Sequence, residues 1–266
     1  MRSFVFNIYS YAVTILYVFV CLFFSLIPGR GPLMAAARRY SRVMVWGMRY
    51  IAGINIHLQG QEHIPESGSF IIASKHQSYG DGFVIFSQFK DLSFVAGNHL
   101  EKVWGLKRIL SKMNMVVIDS CGGSDSREKM EQQAERIKRD GRRLLIFPEG
   151  HLSQVGTHHT YRKGIWHLQQ DFNCPVVPVA NTLGQRWNQM DWKKYPGKAV
   201  LEFLEPIPPG LGKDEFMALL QERIETRSIA LLDLDNPGAL NPDDIGKLSE
   251  NEAAQAKRLA REAEAG

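Results

Sequence analysis

Apolar residues fall along this chain in distinct rhythms. From Ser3 to Gly29 there is no charged side chain, and the core Tyr11 to Ile27 is rich in Val, Leu, Phe and Tyr. A run of that length can enter or span a bilayer. Further on, Ile54, Ile56 and Leu58 alternate with polar residues as in a half-buried strand, and Phe70-Ile71-Ile72-Ala73 is a continuous apolar strand. The pattern then predicts a helix over Phe83 to Phe89, a strand over Leu92 to Ala96, a helix over Leu100 to Lys112 and a strand over Met115 to Ile118. Gly122-Gly123-Ser124-Asp125 turns the chain into a charged helix, Ser126 to Asp140, with Asp125 and Glu128 spaced as a capping box. Arg143 to Phe147, Val176 to Ala180 and Val200 to Phe203 supply further strands, and Phe216, Leu219, Leu220, Ile224 and Leu231 mark a late helix at the 3.6-residue period. Strands separated by helical stretches predict an α/β fold: a largely parallel central sheet flanked by helices, with an N-terminal membrane-associated helical segment.

The same pattern divides the chain into three parts. A cleaved signal peptide fits the first residues poorly, because Arg2 is a thin positive start and Pro28-Gly29-Arg30 is not a small-x-small site. Pro32 to Gly53 sets Arg38, Arg39, Arg42 and Arg49 among Met34, Tyr40, Val43, Met44, Trp46 and Ile51, the mark of an interfacial amphipathic helix. The competing expectation is an ordinary helix packed on the domain, its arginines facing solvent. Residues 1–53 are therefore expected to be anchor and amphipathic helix. No Gly/Ser or Pro-rich linker interrupts 54–235, expected to be one catalytic domain. From 236 to 266, Pro, Asp and Gly break the pattern and a polar tail without an apolar stripe follows.

Charge and cysteine content narrow the partners. The net charge of +4 is modest, but Lys102, Lys107, Arg108 and Lys112, with Arg136, Lys138, Arg139, Arg142 and Arg143, concentrate basic character. Such patches suit anionic lipid headgroups or an acidic protein partner. Nucleic acid is not expected, since no recognised binding motif accompanies the charge. Cys21, Cys121 and Cys174 are odd in number and widely spaced, which argues against a disulfide framework or structural zinc site and fits a reducing compartment.

Chemistry enters after the first continuous strand, where His76-Gln77-Ser78-Tyr79-Gly80-Asp81 places an imidazole and a carboxylate five residues apart. On one helix, five residues advance the direction by about 140°, so the two side chains would diverge. His76 is therefore expected in the loop and Asp81 in the first turns of the next helix, reaching back to one ring nitrogen. That is the base and orienter of a Ser-His-Asp triad without its serine, the hydroxyl coming from a substrate. With eight histidines and twelve aspartates in the chain, this spacing arises by chance in roughly one such chain in three, so context decides.

The context is four blocks in order: His76-x4-Asp81, Met115-Val116-Val117-Ile118-Asp119-Ser120, Phe147-Pro148-Glu149-Gly150 and Val176-Val177-Pro178-Val179. Together they resemble the glycerolipid acyltransferases, the 1-acylglycerol-3-phosphate acyltransferase family, over roughly Ile54 to Leu232. The resemblance implies transfer of a fatty acyl group from acyl-CoA or acyl-carrier protein to a lysolipid hydroxyl. His76 would be the general base and Asp81 its orienter, Glu149 would contact the acceptor's glycerol hydroxyl, and Pro178 would help position the acyl chain or thioester. Two positions depart from the family pattern: Ser120 stands where an arginine usually follows the aspartate, and His151-Leu152 where threonine and arginine usually follow Glu-Gly.

The remaining candidates come from the residues themselves. Gly150 would let backbone amides approach a developing oxyanion, and Pro178 reads equally as a structural proline at a strand edge. Arg162 and Lys163, followed by Gly164, are candidate anion binders. Gly122-Gly123 is a weak phosphate cradle whose plainer reading is a simple turn. His151, His158, His159 and His167 invite a metal, but they lack nearby cysteines and any helical His-x-x-x-His pair with glutamate. No metal or organic cofactor is expected, because a thioester donor carries its own activation. The expected setting is the cytoplasmic face of the inner membrane, with the bilayer, a lysolipid and the acyl donor as partners. The first acceptor to test is 1-acylglycerol-3-phosphate, giving phosphatidic acid. A phosphate-free lysolipid such as lyso-ornithine lipid, a membrane-bound thioesterase or hydrolase, and an inactive lipid-binding scaffold are the rivals.

Overall fold

The computed structural model describes residues 1–118, 132–133, 135–189 and 191–249. Among them, β1 (Ile54–Gln59), β2 (Ile71–Ser74), β3 (Leu92–Gly97), β4 (Val116–Ile118), β5 (Arg143–Ile146), β6 (Val176–Asn181) and β7 (Gly197–Phe203) form one sheet in the order β1-β7-β6-β2-β5-β3-β4. Strands β6, β2, β5, β3 and β4 run parallel, as the alternation of strands and helices predicts. The reversal comes at β7, which pairs antiparallel with β6 and carries β1 parallel on its other side. No crossover helix joins β6 to β7 among the described residues, so the returning strand lies antiparallel.

Each face of the sheet is covered, which is why β2 and β6 read as unbroken apolar runs. Ile72, Leu145, Val177 and Val179 point to one face and pack beneath α1 (Arg2–Ser25), α2 (Gly31–Gly47), α3 (Gly80–Gln88) and α4 (Leu106–Lys112). Ile71, Ala73, Leu144 and Val176 point to the other and meet α5 (Gly164–Phe172) and α6 (Lys213–Ala230). On α6 the apolar stripe is Phe216, Leu220 and Ile224, spaced to face the sheet together.

Several expectations change on this frame. The helix expected over Leu100 to Lys112 is two pieces, a 3₁₀ turn at Asn98–Lys102 and then α4. Between them Gly105 takes φ +75°, a conformation other residues resist. Of the helix expected over Ser126 to Asp140, residues 135–139 are helical; its start and the capping box lie outside the described residues. Arg142 does not belong to a surface patch. It is 1% exposed, donates to the carbonyl of Met113 and lies 2.8 Å from Asp91.

The N-terminal helices share the main core. Phe6, Leu33, Met44 and Met48 are buried in it, and Arg38 donates to the carbonyls of Ser87 and Gln88 at the end of α3. So α2 packs on the domain, while Arg39, Arg42, Trp46, Arg49 and Tyr50 stay on the outside. Along α1, Ile8, Tyr11, Ile15, Phe19 and Phe23 are exposed, and by length and composition this helix could cross a bilayer. Residues 236–249 are docked as well: Ala239 donates to Gln185, Gly246 to Gly156 and Ser249 to His158 through the backbone.

Candidate active site

Strands β2 and β5 are neighbours, with Ala73 opposite Ile146. That pairing brings the loops that leave their carboxyl ends side by side, the usual ligand position in such sheets. His76 leaves β2 in an irregular loop and Asp81 sits in the first turn of α3, as the spacing argument predicts. Asp81 Oδ2 lies 3.1 Å from His76 Nδ1 and also accepts from the backbone N–H groups of Gln77 (2.7 Å) and Ser78 (2.8 Å). The carboxylate is wholly buried, so three donors converge on one oxygen that has no mobility to lose. With Nδ1–H donating to Asp81, Nε2 carries the basic lone pair. The ring stacks on Phe147 at 3.8 Å between centroids and 15° between planes, and its side chain is 21% exposed. The ring is thus fixed by one hydrogen bond and one stack, and stays partly open to solvent.

Phe147 and Tyr79, from the two loops, also wall an apolar cavity of about 290 Å³ between the sheet and α1 to α4. Tyr17, Cys21, Phe86 and Met113 line its depth. An apolar pocket that begins beside an oriented imidazole suits a hydrocarbon chain whose reactive end stops at that ring.

Phe147 to Gly150 form a turn closed by the N–H of Gly150 on the carbonyl of Phe147 at 3.0 Å, with Gly150 at φ +74°. Gly150's own amide is therefore spent inside the turn, while its missing side chain keeps the turn's backbone open to close approach. Glu149 is 0% exposed and faces inward: Oε1 accepts from the His76 amide (3.2 Å), and Oε2 from the His159 amide (2.9 Å) and Lys75 Nζ (3.1 Å). Its carboxylate fastens the two loops rather than standing open toward an acceptor. Ser153 adds a second fastening, its amide donating to the His76 carbonyl at 2.8 Å.

A chain match now decides the family. The Acyltransferase family model covers residues 55–182, and a 1-acyl-sn-glycerol-3-phosphate acyltransferase of Pseudomonas aeruginosa is 31% identical over 65% of this chain and 66% of its own length. The chain belongs to the glycerolipid acyltransferase family. A 1-acyl-sn-glycerol-3-phosphate acyltransferase alpha of Mus musculus is 24% identical over 67% of this chain and 64% of its own. The chain thus spans a little under two thirds of these relatives' length. The crystal structure of the 1-acyl-sn-glycerophosphate (LPA) acyltransferase PlsC from Thermotoga maritima shares the fold, with a TM-score of 0.71 at 21% identity over 87% of this chain and 98% of that one.

Other acyltransferase-family positions fall out unevenly. Pro178 is not at a sheet edge: it lies buried in β6 opposite Ala73, between β2 and β7, and its carbonyl accepts from Leu204. Its missing N–H falls between the Val176–Ile207 bridge and the regular β6–β7 pairing, where the ladder has a gap. Arg162 passes beside Gly150, its Cγ and Nε 3.5 Å from where a Cβ would stand. Lys163 points elsewhere, into a separate cavity with Tyr161 and Lys213. Gly122, Gly123 and Ser120 lie outside the described residues. The histidines divide: His151 and His159 meet edge to face, whereas His167 rests on Trp166 in α5. Sequence reasoning passed over Lys75, although a lysine closing a strand of four buried residues must find a carboxylate in the interior.

Proposed function

We propose that the chain is a membrane-associated O-acyltransferase that moves a fatty acyl group from acyl-CoA or acyl-carrier protein to a lysolipid hydroxyl. The acceptor is 1-acylglycerol-3-phosphate and the product phosphatidic acid, in phospholipid synthesis. One observation carries this reading: the His76–Asp81 pair is oriented, and the His76 ring stacks on Phe147, which lines an apolar cavity. The acceptor is supported by the relatives from Pseudomonas aeruginosa and Mus musculus, both 1-acyl-sn-glycerol-3-phosphate acyltransferases. Nε2 of His76 takes the proton of the acceptor hydroxyl as its oxygen attacks the thioester carbonyl. The tetrahedral adduct then collapses, the C–S bond breaks, and the imidazolium returns its proton to the leaving thiolate. Asp81 holds the ring's orientation throughout and stabilises the imidazolium. The acceptor oxygen attacks the thioester directly and His76 only carries the proton, so no acyl-enzyme forms.

The exposed apolar face of α1, flanked by Arg39, Arg42 and Trp46 on α2 and by Arg49 just after it, supports a position at the bilayer surface. We assign the cytoplasmic leaflet, where thioester donors are available. Full-length protein that fractionates as soluble without detergent would contradict that placement.

Two substitutions test the substrate contacts separately. Arg162 is the cation beside the turn and is the one we assign to the acceptor phosphate, in the place of the family arginines that Ser120 and Leu152 replace. A guanidinium grips phosphate through paired, charge-assisted hydrogen bonds. Arg162→Gln should raise KM for 1-acylglycerol-3-phosphate by about 10-fold or more, the cost of one such contact, and leave KM for a phosphate-free lysolipid nearly unchanged. Equal effects on both, or a wild-type preference for the phosphate-free acceptor, would instead support acylation of a lipid such as lyso-ornithine lipid. Gly82 lines the apolar cavity, and a Cβ added there meets nothing within 4 Å. Gly82→Leu should therefore fill the cavity without disturbing α3, shifting donor preference to shorter chains by about 0.8 kcal/mol for each methylene excluded. An unchanged chain-length profile would show that the acyl group lies elsewhere.

A further inference from the structure

We propose that Lys75 and Glu225 are positioning residues for His76, acting through Glu149 although neither touches the reacting atoms. The inference rests on His76 being the general base. Lys75 follows β2 and is fully buried, with its three ammonium hydrogens taken up by Glu149 Oε2 (3.1 Å), the carbonyl of Thr157 (2.8 Å) and the carboxylate of Glu225 (2.8 and 2.9 Å). Glu149 in turn holds the backbone amides of His76 and His159. A continuous chain of charged hydrogen bonds therefore runs from α6 to the backbone of the base. Each member is held by the next: Glu149 is placed by Lys75, and Lys75 is placed from its far side by Glu225, 150 residues away in sequence.

The far end of this chain is stiffened too. Tyr161 Oη donates to Glu225 Oε1 at 2.7 Å. Burial, with Glu225 and Glu149 close by, holds the Tyr161 phenol well above its ordinary pKa, so it remains a donor. Glu225 and Tyr161 form part of the wall of a cavity of about 580 Å³ that also takes in Lys163 and Lys213, which lies apart from the apolar cavity beside His76. A buried ion cluster is a costly way to fill space, and apolar side chains of similar volume often serve stability as well. What the cluster supplies and apolar residues would not is a fixed direction for Glu149, and so for the His76 backbone. Small displacements of a base cost large factors in rate.

The test uses the full-length protein and two variants, Glu225→Gln and the gentler Tyr161→Phe. For each, kcat is measured per folded enzyme, with KM for acceptor and donor. The His76 Nδ1–H resonance is followed in protein carrying ¹⁵N-labelled histidine and is identified by its loss in His76→Ala. Glu225→Gln is expected to lower kcat roughly 10- to 100-fold with both KM values nearly unchanged, and to shift or broaden the His76 resonance. Tyr161→Phe should move the same readouts in the same direction by a few-fold. A merely structural role would lower the folded fraction and leave kcat per folded enzyme and the resonance alone. Wild-type kcat and an unmoved resonance in both variants would overturn the proposal, as would a rise confined to acceptor KM, which would put Glu225 against substrate. Should His76→Ala itself turn over normally, the assignment of the base fails, and that result is read without either variant.

Discussion

His76→Ala should lower turnover by about 10² to 10⁴, the ordinary contribution of a general base, in a protein that stays folded. The side chain sits in a loop, partly exposed, and contributes one ring stack on Phe147 and one hydrogen bond to Asp81. Its loss should therefore move the thermal midpoint by only a few degrees. Asp81→Asn is the sharper probe. Asp81 Oδ2 serves the ring and two backbone amides together, so the neutral amide keeps the shape but loses the charge that stabilises the imidazolium. Turnover in that variant should fall between wild type and His76→Ala. Near wild-type rates in purified, folded His76→Ala would remove the pair from the chemistry.

Lys75→Met should produce the largest loss of stability of any single change discussed. Glu149 and Glu225 would then face each other in the interior without their shared cation, and breaking a buried pair in this way costs about 3–5 kcal/mol. For a domain of this size that is a fall of roughly 10 °C in Tm. The pH dependence has a definite sign. Burial raises the Glu225 carboxyl, Lys75 opposes that rise and Glu149 adds to it. A carboxyl raised in the folded state contributes stability that is present at low pH and lost as pH climbs through its folded value. Removing Lys75 takes away the opposing influence, so the variant's deficit should be small near pH 5 and large near pH 8. Thermal unfolding followed across that range checks it, and a deficit that is independent of pH would mean the carboxylates are not what the lysine holds.

What the sequence made legible is what short-range geometry controls. The five-residue gap between His76 and Asp81 forces a loop-to-helix arrangement whatever the rest of the fold does. The unbroken apolar runs of β2 and β6 mark strands covered on both faces. The reversal at β7 has no local signature, because the direction of a returning strand is set by which edge remains open once the others have paired. Gly105 was available as a helix breaker, but the apolar spacing of Leu100 to Leu110 masks it. The resemblance sets Glu149 against the acceptor hydroxyl; its inward direction depends on Lys75 and on Glu225, contributed by a distant helix. Arg162 and Lys163 are adjacent in sequence yet part company, since Lys163 is the N-cap of α5 while Arg162 still belongs to the loop, its amide held by the Pro148 carbonyl.

The most direct measurement is mass analysis of the lipids formed when purified full-length protein is given an acyl thioester and 1-acylglycerol-3-phosphate. The predicted result is stoichiometric release of free thiol and a new ester, phosphatidic acid, absent when His76→Ala replaces the wild type. Thiol release accompanied by free fatty acid and no new ester would contradict the account and make water the acceptor.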